Sequence, residues 1–299
     1  MEPMGKAAAR KFLIPHRENT KIYNGRLYNK LNLYNYGKGD YISSTILKYK
    51  LWEPPITKVI EFLLGEGKDK YFVDVGCNIG YYSIIAAPLS KKVISIDAHL
   101  PHLTLLQASK IYNKLSNINI IHKGISDKEE ILYLQNESVA HKYNNLGLLY
   151  YSSQTDLLGL GRMPLEVDGL EGDTLDNIMD VSGAEVIDLL KIDIESGELK
   201  ALKGAFEWIS RGKVKNIIVE ISPALTDLYH KDKDESEEIL KYLQHNNYVL
   251  YEIPYLEVGP YIETSRYVER EVLEQGRIDN IPHFLASMGP QTNILARLQ

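Results

Sequence analysis

Apolar residues in this chain recur in short runs separated by amphipathic stretches, and the runs carry β-prone side chains. Tyr71, Phe72, Val73 and Val75 form a first run of the kind buried in a parallel sheet. It breaks at a turn, VGCNIG (75–80), and YYSIIAAPL then reads as a helix starting near Gly80. VISID (93–97) predicts a second strand, the stretch from about Leu103 to Lys114 a helix, and NINIIH (117–122) a third strand. VIDLLKIDI (186–194) is almost continuously apolar apart from Asp188, Lys191 and Asp193, which predicts a central strand whose polar end opens into a crevice. LKALKGAFEWIS predicts the next helix, NIIVEIS (216–222) a fifth strand, KDKDESEE through Gln244 a helix with Asp234 and Glu237 spaced as a cap pair, YVLYEI (248–253) a sixth strand and TNILARL a seventh. Upstream, Pro54 and Pro55 open the periodic helix ITKVIEFLL, which ends at Gly65. Strands alternating with helices predict an α/β doubly wound, mostly parallel sheet with helices on both faces.

The chain has 299 residues, 44% hydrophobic and 25% charged, enough for one large core with a peripheral extension. Residues 1–52 are read as an N-terminal extension and candidate cover for an acceptor site, and 53–299 as one catalytic domain with insertions near 135–172 and 254–290. Tyrosines crowd residues 15–50, and such rings wall sugar sites well; a biased coding composition accounts for them equally. A net charge of −6 argues against a protein held mainly by phosphate backbones or anionic membranes. Cys77 is the one cysteine, so no internal disulfide or cysteine-based zinc site is expected, and it reads as a packed side chain. With no apolar run long enough to span a bilayer and no secretory h-region, a soluble cytoplasmic protein without a membrane partner is the expectation.

The turn carries the first chemistry. Gly76 and Gly80 leave no side chain where backbone must approach a ligand, and the helix after them is expected to aim unpaired N–H groups at it. G-x-x-x-G is not the dinucleotide pattern G-x-G-x-x-G, so a hydride-transfer cofactor is disfavoured. Asp97 ends the second strand about 20 residues later, where an acid accepts from ribose hydroxyls. Ribose without pyrophosphate suggests S-adenosylmethionine.

VDVGCNIGYYSIIAA, HKGISDKEEILYL (122–134), NNLGLL (144–149), DTLDNI (173–178), LLKIDIESGELKALKGA (189–205) and IIVEIS (217–222) follow the order seen in FkbM-family methyltransferases, and over about 53–252 the chain resembles that family. It departs in having Ser196 where glycine usually follows the glutamate, and Asp97–Ala98 where glutamate–proline is usual. The resemblance implies a Rossmann-like class I methyltransferase fold with a seven-stranded sheet, and a cofactor site of Asp74, Gly76, Asn78, Gly80 and Asp97. Ser126 and Asp127 fall where that class places groups around adenine, with a plain turn as the equal competitor. Glu53 matches a glutamate–proline pair of the family; it either meets the cofactor's amino group or serves as an anion at a helix N-terminus.

Asp193 and Glu195 alternate with Ile192 and Ile194, and Glu220 ends the fifth strand, so the three are the candidate catalytic carboxylates. Methyl transfer to an aliphatic hydroxyl needs alignment together with a base or a cation. The three acids suit either role, with Asp193 and Glu220 as candidate Mg²⁺ ligands. Glu198 reads as a helix cap, His230 as solvated, and Asn145, Gly147 and Tyr150 as acceptor contacts. The expected activity is O-methylation of a sugar, glycan or secondary metabolite. The alternatives are an RNA ribose 2′-O-methyltransferase, with Lys191, Lys200, Lys203, Arg211, Lys213 and Lys215 as phosphate contacts, and a catalytically silent interaction module. Oligomeric state is left open.

Overall fold

The computed structural model describes residues 18–23, 30–65, 68–135, 150–153, 169–195, 197–223, 235–253 and 275–299. The chain opens with an antiparallel hairpin of β1 (Glu18–Tyr23) and β2 (Lys30–Asn35), followed by α1 (Tyr41–Tyr49) and α2 (Pro54–Leu64). Then come β3 (Tyr71–Val75), α3 (Tyr81–Ala86), β4 (Lys92–Asp97), α4 (Leu100–Tyr112) and β5 (Ile118–His122). Four short strands follow, β6 (Gly124–Ile125), β7 (Glu130–Gln135), β8 (Tyr150–Ser153) and β9 (Leu170–Asp173). The chain continues through α5 (Leu175–Asp180), β10 (Leu189–Ile192), α6 (Glu198–Lys203), α7 (Phe206–Ser210) and β11 (Asn216–Ile221). It ends with α8 (Ser236–His245), β12 (Tyr248–Ile253), α9 (Ile281–Ser287) and β13 (Thr292–Leu298).

The main sheet has seven strands in the order β12-β13-β11-β10-β3-β4-β5. Its ladders are parallel except those of β13, which runs antiparallel to both neighbours. Chain order reverses between β3 and β10, and ligands of doubly wound sheets bind at such a switch. Successive residues serve opposite faces, as strand geometry requires. Phe72 and Val93 join a core with Ile84, Ile85 and Leu106 on one side. Val73, Val75, Ile94, Ile192 and Val219 join another with Leu199, Trp208 and Leu240 on the other. This is the α/β, Rossmann-like, mostly parallel seven-stranded sheet expected from the sequence.

Three expectations need correction. Part of the stretch 135–172, read as irregular, supplies β8 and β9 to a second sheet of order β6-β9-β7-β8. The helix after β10 is not continuous: it breaks at Gly204, where a Cβ would lie 2.2 Å from the Ser126 carbonyl oxygen, so α6 and α7 are separate. The fourth strand is shorter than 186–194, because the Asp188 carboxylate is used to accept from the Tyr71 N–H (2.9 Å) and from Lys215 Nζ (2.9 Å).

The N-terminal segment packs on α4. Asn113 accepts from the Asn32 N–H (2.8 Å) and donates to the Asn32 carbonyl (2.6 Å), and Ser109 Oγ accepts from the Tyr34 N–H (2.8 Å). Asp40 caps α1 by accepting from the Ser43 N–H (2.8 Å). Pro54 and Pro55 occupy the first turn of α2, and Gly65 closes it at φ +60°. Among the described residues, no helix is long and apolar enough to cross a membrane.

Candidate functional site

One cavity of about 210 Å³ opens at the C-terminal ends of β3, β4, β10 and β11. Its wall takes in the turn after β3, Asp97 and His99 after β4, Lys123 to Ile125 after β5, and Lys191, Asp193 and Glu195 at β10. Glu220 and Gln291 line it from beyond β10, and Tyr41, Trp52 and Glu53 from the N-terminal segment.

The glycine turn is built differently from the sequence expectation. Gly76 (φ +75°) and Gly80 (φ +84°) both need the left-handed region, but neither leaves its space to a ligand. A Cβ on Gly76 would fall 1.8 Å from the Asp193 carbonyl oxygen, and one on Gly80 would strike Leu106 at 2.3 Å. Gly76 lines the cavity and Gly80 does not. The turn's N–H groups are also spent internally. Those of Gly76 and Cys77 donate to the Ile96 carbonyl, that of Asn78 to Asp97 Oδ2 (2.8 Å), that of Ile79 to Asn78 Oδ1 (2.7 Å) and that of Gly80 to the Cys77 carbonyl. The expected cradle of unpaired N–H groups is therefore not found at 76–80.

Asp97 is the carboxylate that lines the cavity beside this turn. Its Oδ1 accepts from the His99 N–H (2.7 Å) and stands 3.4 Å from His102 Nδ1. Burial alone would raise its pKa, but the His102 imidazole and the two N–H donors hold it below the usual value. Each carboxylate oxygen accepts one backbone N–H, Oδ1 from His99 and Oδ2 from Asn78. The His99 ring is pushed down to about 3 by burial and by the neighbouring His102, so it stays neutral.

Asp74 is not a lining residue. It lies fully buried and accepts from Ser83 Oγ (2.6 Å), which in turn accepts from Ser95 Oγ (2.7 Å). Burial raises its pKa to about 6. Ser126 and Asp127 are also outside the cavity. Once β5 ends, Gly124 and Ile125 turn to pair with β9, Ser126 donates to Glu130 Oε1 (2.5 Å), and its N–H donates to the Asp173 carbonyl. Lys123, Gly124 and Ile125 are the residues of this segment on the wall.

The acids converge. Glu53 sits at the N-cap of α2 with φ +37° and makes no cap bond; its carboxylate accepts from the Tyr82 hydroxyl. It stands both at that helix end and on the cavity wall. Burial, then the charge of Asp193, raises its pKa to about 7. Asp193 accepts from Lys191 Nζ (2.7 Å). Glu220 Oε1 accepts from Ser222 Oγ (2.5 Å) and Gln291 Nε2 (2.7 Å). Burial first, and Asp193 second, raise Glu195 and Glu220 well above the usual carboxylate range. Glu198 begins α6 and accepts from the Ile194 N–H (3.0 Å), so it fixes the acidic turn. Among the described residues no group of three or more His, Cys, Asp or Glu is arranged to hold a metal ion, so the Mg²⁺ reading finds no ligand set.

Lys191 was read as a phosphate contact and is instead 1% exposed, inside the fold. Burial would depress its pKa, but the charges of Asp193, Asp74 and Glu53 raise it. Its Nζ also lies 4.9 Å from the centre of the Tyr82 ring. Four of the five other basic residues are engaged with these partners: Lys203 with Glu238, Arg211 with Glu207, Lys215 with Asp188, and Lys213 over Trp208. Cys77 is buried and its thiol is pushed up by burial, as fits a packing role. Asn145, Gly147, Ser196, His230 and Asp234 lie outside the described residues, as does the side chain of Tyr150.

Sequence reasoning missed Trp52, Tyr82, His99, Lys123, Lys191 and Gln291 as wall residues. A signal existed for Lys191: a lysine between Leu190 and Ile192 in a central strand has to be paired.

The sequence matches the family model described as Methyltransferase FkbM domain over residues 74–250, more than half of the chain. No curated protein matches. Among solved structures, a methyltransferase FkbM from Methylobacillus flagellatus is similar at 18% identity with a TM-score of 0.44, over 71% of this chain and 50% of that one. This chain thus spans about half the length of that protein. SMU.1697c from Streptococcus mutans, in complex with SAH, is similar at 10% identity and TM-score 0.44, over 83% of this chain and 99% of that one. An rRNA methylase from Streptococcus thermophilus is similar at 13% identity and TM-score 0.40, over 82% and 97%.

Proposed function

Since the chain belongs to the FkbM methyltransferase family, we propose that it is an S-adenosylmethionine-dependent O-methyltransferase acting on a hydroxyl of a sugar, glycan or secondary metabolite. The observation that carries this reading is the convergence of Asp193, Glu195 and Glu220 on the cavity that Asp97 also lines.

When bound, the cofactor supplies a methyl group already activated for displacement, so the protein's tasks are alignment, exclusion of water and removal of one proton. Asp97 holds the ribose, with the Asn78 and His99 N–H groups fixing its carboxylate. Glu53 takes the amino end, anchored by Tyr82. Trp52 and Tyr41, edge to face with centroids 6.0 Å apart, wall the cavity from the N-terminal segment and shield it from water.

Asp193 is paired with Lys191 Nζ at 2.7 Å. Glu220 receives the hydroxyl proton. Its two hydrogen bonds fall on Oε1, so neither occupies Oε2, and the nearby charges of Asp193 and Glu195 raise its affinity for a proton. The engaged basic residues and the overall charge of −6 weigh against an RNA backbone as acceptor.

The test is transfer of a labelled methyl group to pooled neutral sugars, glycans and RNA. Transfer to a sugar or metabolite hydroxyl is expected, and Glu220→Gln should cost roughly 10²- to 10⁴-fold in turnover with SAH affinity kept, the range for general-base loss. Transfer to RNA alone, or to nothing despite SAH binding, removes the reading.

A further inference from the structure

Charge in the cavity is one-sided. Five carboxylates line it, Glu53, Asp97, Asp193, Glu195 and Glu220. The two lysines on the described wall are already committed, Lys123 to Asp173 at 2.6 Å and Lys191 to Asp193 at 2.7 Å. Glu220, in β11, is 7% exposed, and Glu195, half-buried just after β10, has φ +54°, so neither acid stands on an open surface. Opposite charge brought near such a group is worth more here than in water, because little solvent screens it.

Resting on the methyltransferase reading above, we propose that this cavity selects its cofactor by charge: it binds the positively charged sulfonium donor in preference to the uncharged thioether product, and the transfer step itself loosens the spent cofactor. In that step the carbon–sulfur bond breaks and sulfur keeps the electron pair. The methyl carbon bonds to the acceptor oxygen, and the hydroxyl proton passes to Glu220. One positive charge on sulfur and one negative charge on the acid disappear together. The attraction that favoured the donor is then gone. Burial is the larger cause of the raised proton affinity of Glu195 and Glu220, and the neighbouring carboxylate of Asp193 the second; a cation placed among them relieves that second part.

The test needs no acceptor. Equilibrium dialysis of the full chain measures dissociation constants for S-adenosylmethionine, for SAH, and for sinefungin, in which an amine-bearing carbon replaces the sulfonium. The two cationic ligands should bind at least about tenfold more tightly than SAH, a modest ratio for one charge beside several acids. Glu195→Gln and Glu220→Gln should each pull that ratio toward one by weakening the cationic ligands while SAH is kept. Asp97→Asn should weaken all three alike, because the ribose is common to them. SAH binding as tightly as the donor in the unaltered protein overturns the charge selection and leaves the cofactor reading standing. Absence of binding by all three overturns both.

Discussion

Replacing Glu53 by glutamine isolates the energetic cost of the acid cluster. The carboxyl's pKa rises from 4.5 to about 7 on folding, chiefly through burial and then through Asp193. A raised acid pKa means the folded chain holds a proton that the unfolded chain has released, so stability falls as pH climbs through that window. At ~1.4 kcal/mol per pH unit, the span between the two values sets a ceiling of roughly 3.5 kcal/mol above about pH 7. Glu53 keeps partial solvent contact, which lowers the expectation to about 1–2 kcal/mol. Glutamine preserves the size and can still accept from the Tyr82 hydroxyl. Glu53→Gln should match the parent near pH 4 and exceed it increasingly toward about pH 8. Urea denaturation at both pH values reads this directly as a shift of midpoint. The same variant should bind S-adenosylmethionine less tightly, a gain in stability traded against binding. No gain at the higher pH, or a larger gain at the lower one, would refute the placement of this carboxyl in a crowded acidic pocket.

Other substitutions probe the neighbouring parts. Asp97→Ala should weaken SAH by about 1–3 kcal/mol in calorimetry, the cost of losing charge-assisted bonds. Ser126→Ala, at a residue outside the cavity, should leave SAH affinity within about 0.5 kcal/mol of the parent; a larger loss would return this turn to the adenine site. Gly76→Ala should destabilise the chain by more than about 3 kcal/mol in urea unfolding, because its Cβ meets the Asp193 main chain at 1.8 Å and φ is +75°.

The sheet was legible because β3, β4, β10 and β11 are buried on both faces and so spell near-continuous apolar runs. Asp97, Asp193 and Glu220 were legible for a related reason: a polar residue closing such a run has only the crevice to face. What stayed hidden depended on distance along the chain. β6 has two residues and pairs with β9 across a long excursion, so no local pattern announced the second sheet, and with it went the true course of Ser126 and Asp127. Gln291 reaches Glu220 from just before the last strand, 71 residues away. Lys191 was misread because charge in sequence suggests solvent, while its partners Glu53 and Asp74 come from two other elements.

Contact between Gly76 and the Asp193 carbonyl joins the glycine turn to the acidic end of the cavity with no side chain between them. Any side chain at 76 pries the two apart, whereas changes at the outer wall, such as at Trp52 or Gln291, leave the joint untouched. On the methyltransferase reading proposed above, a change of acceptor therefore falls to the periphery.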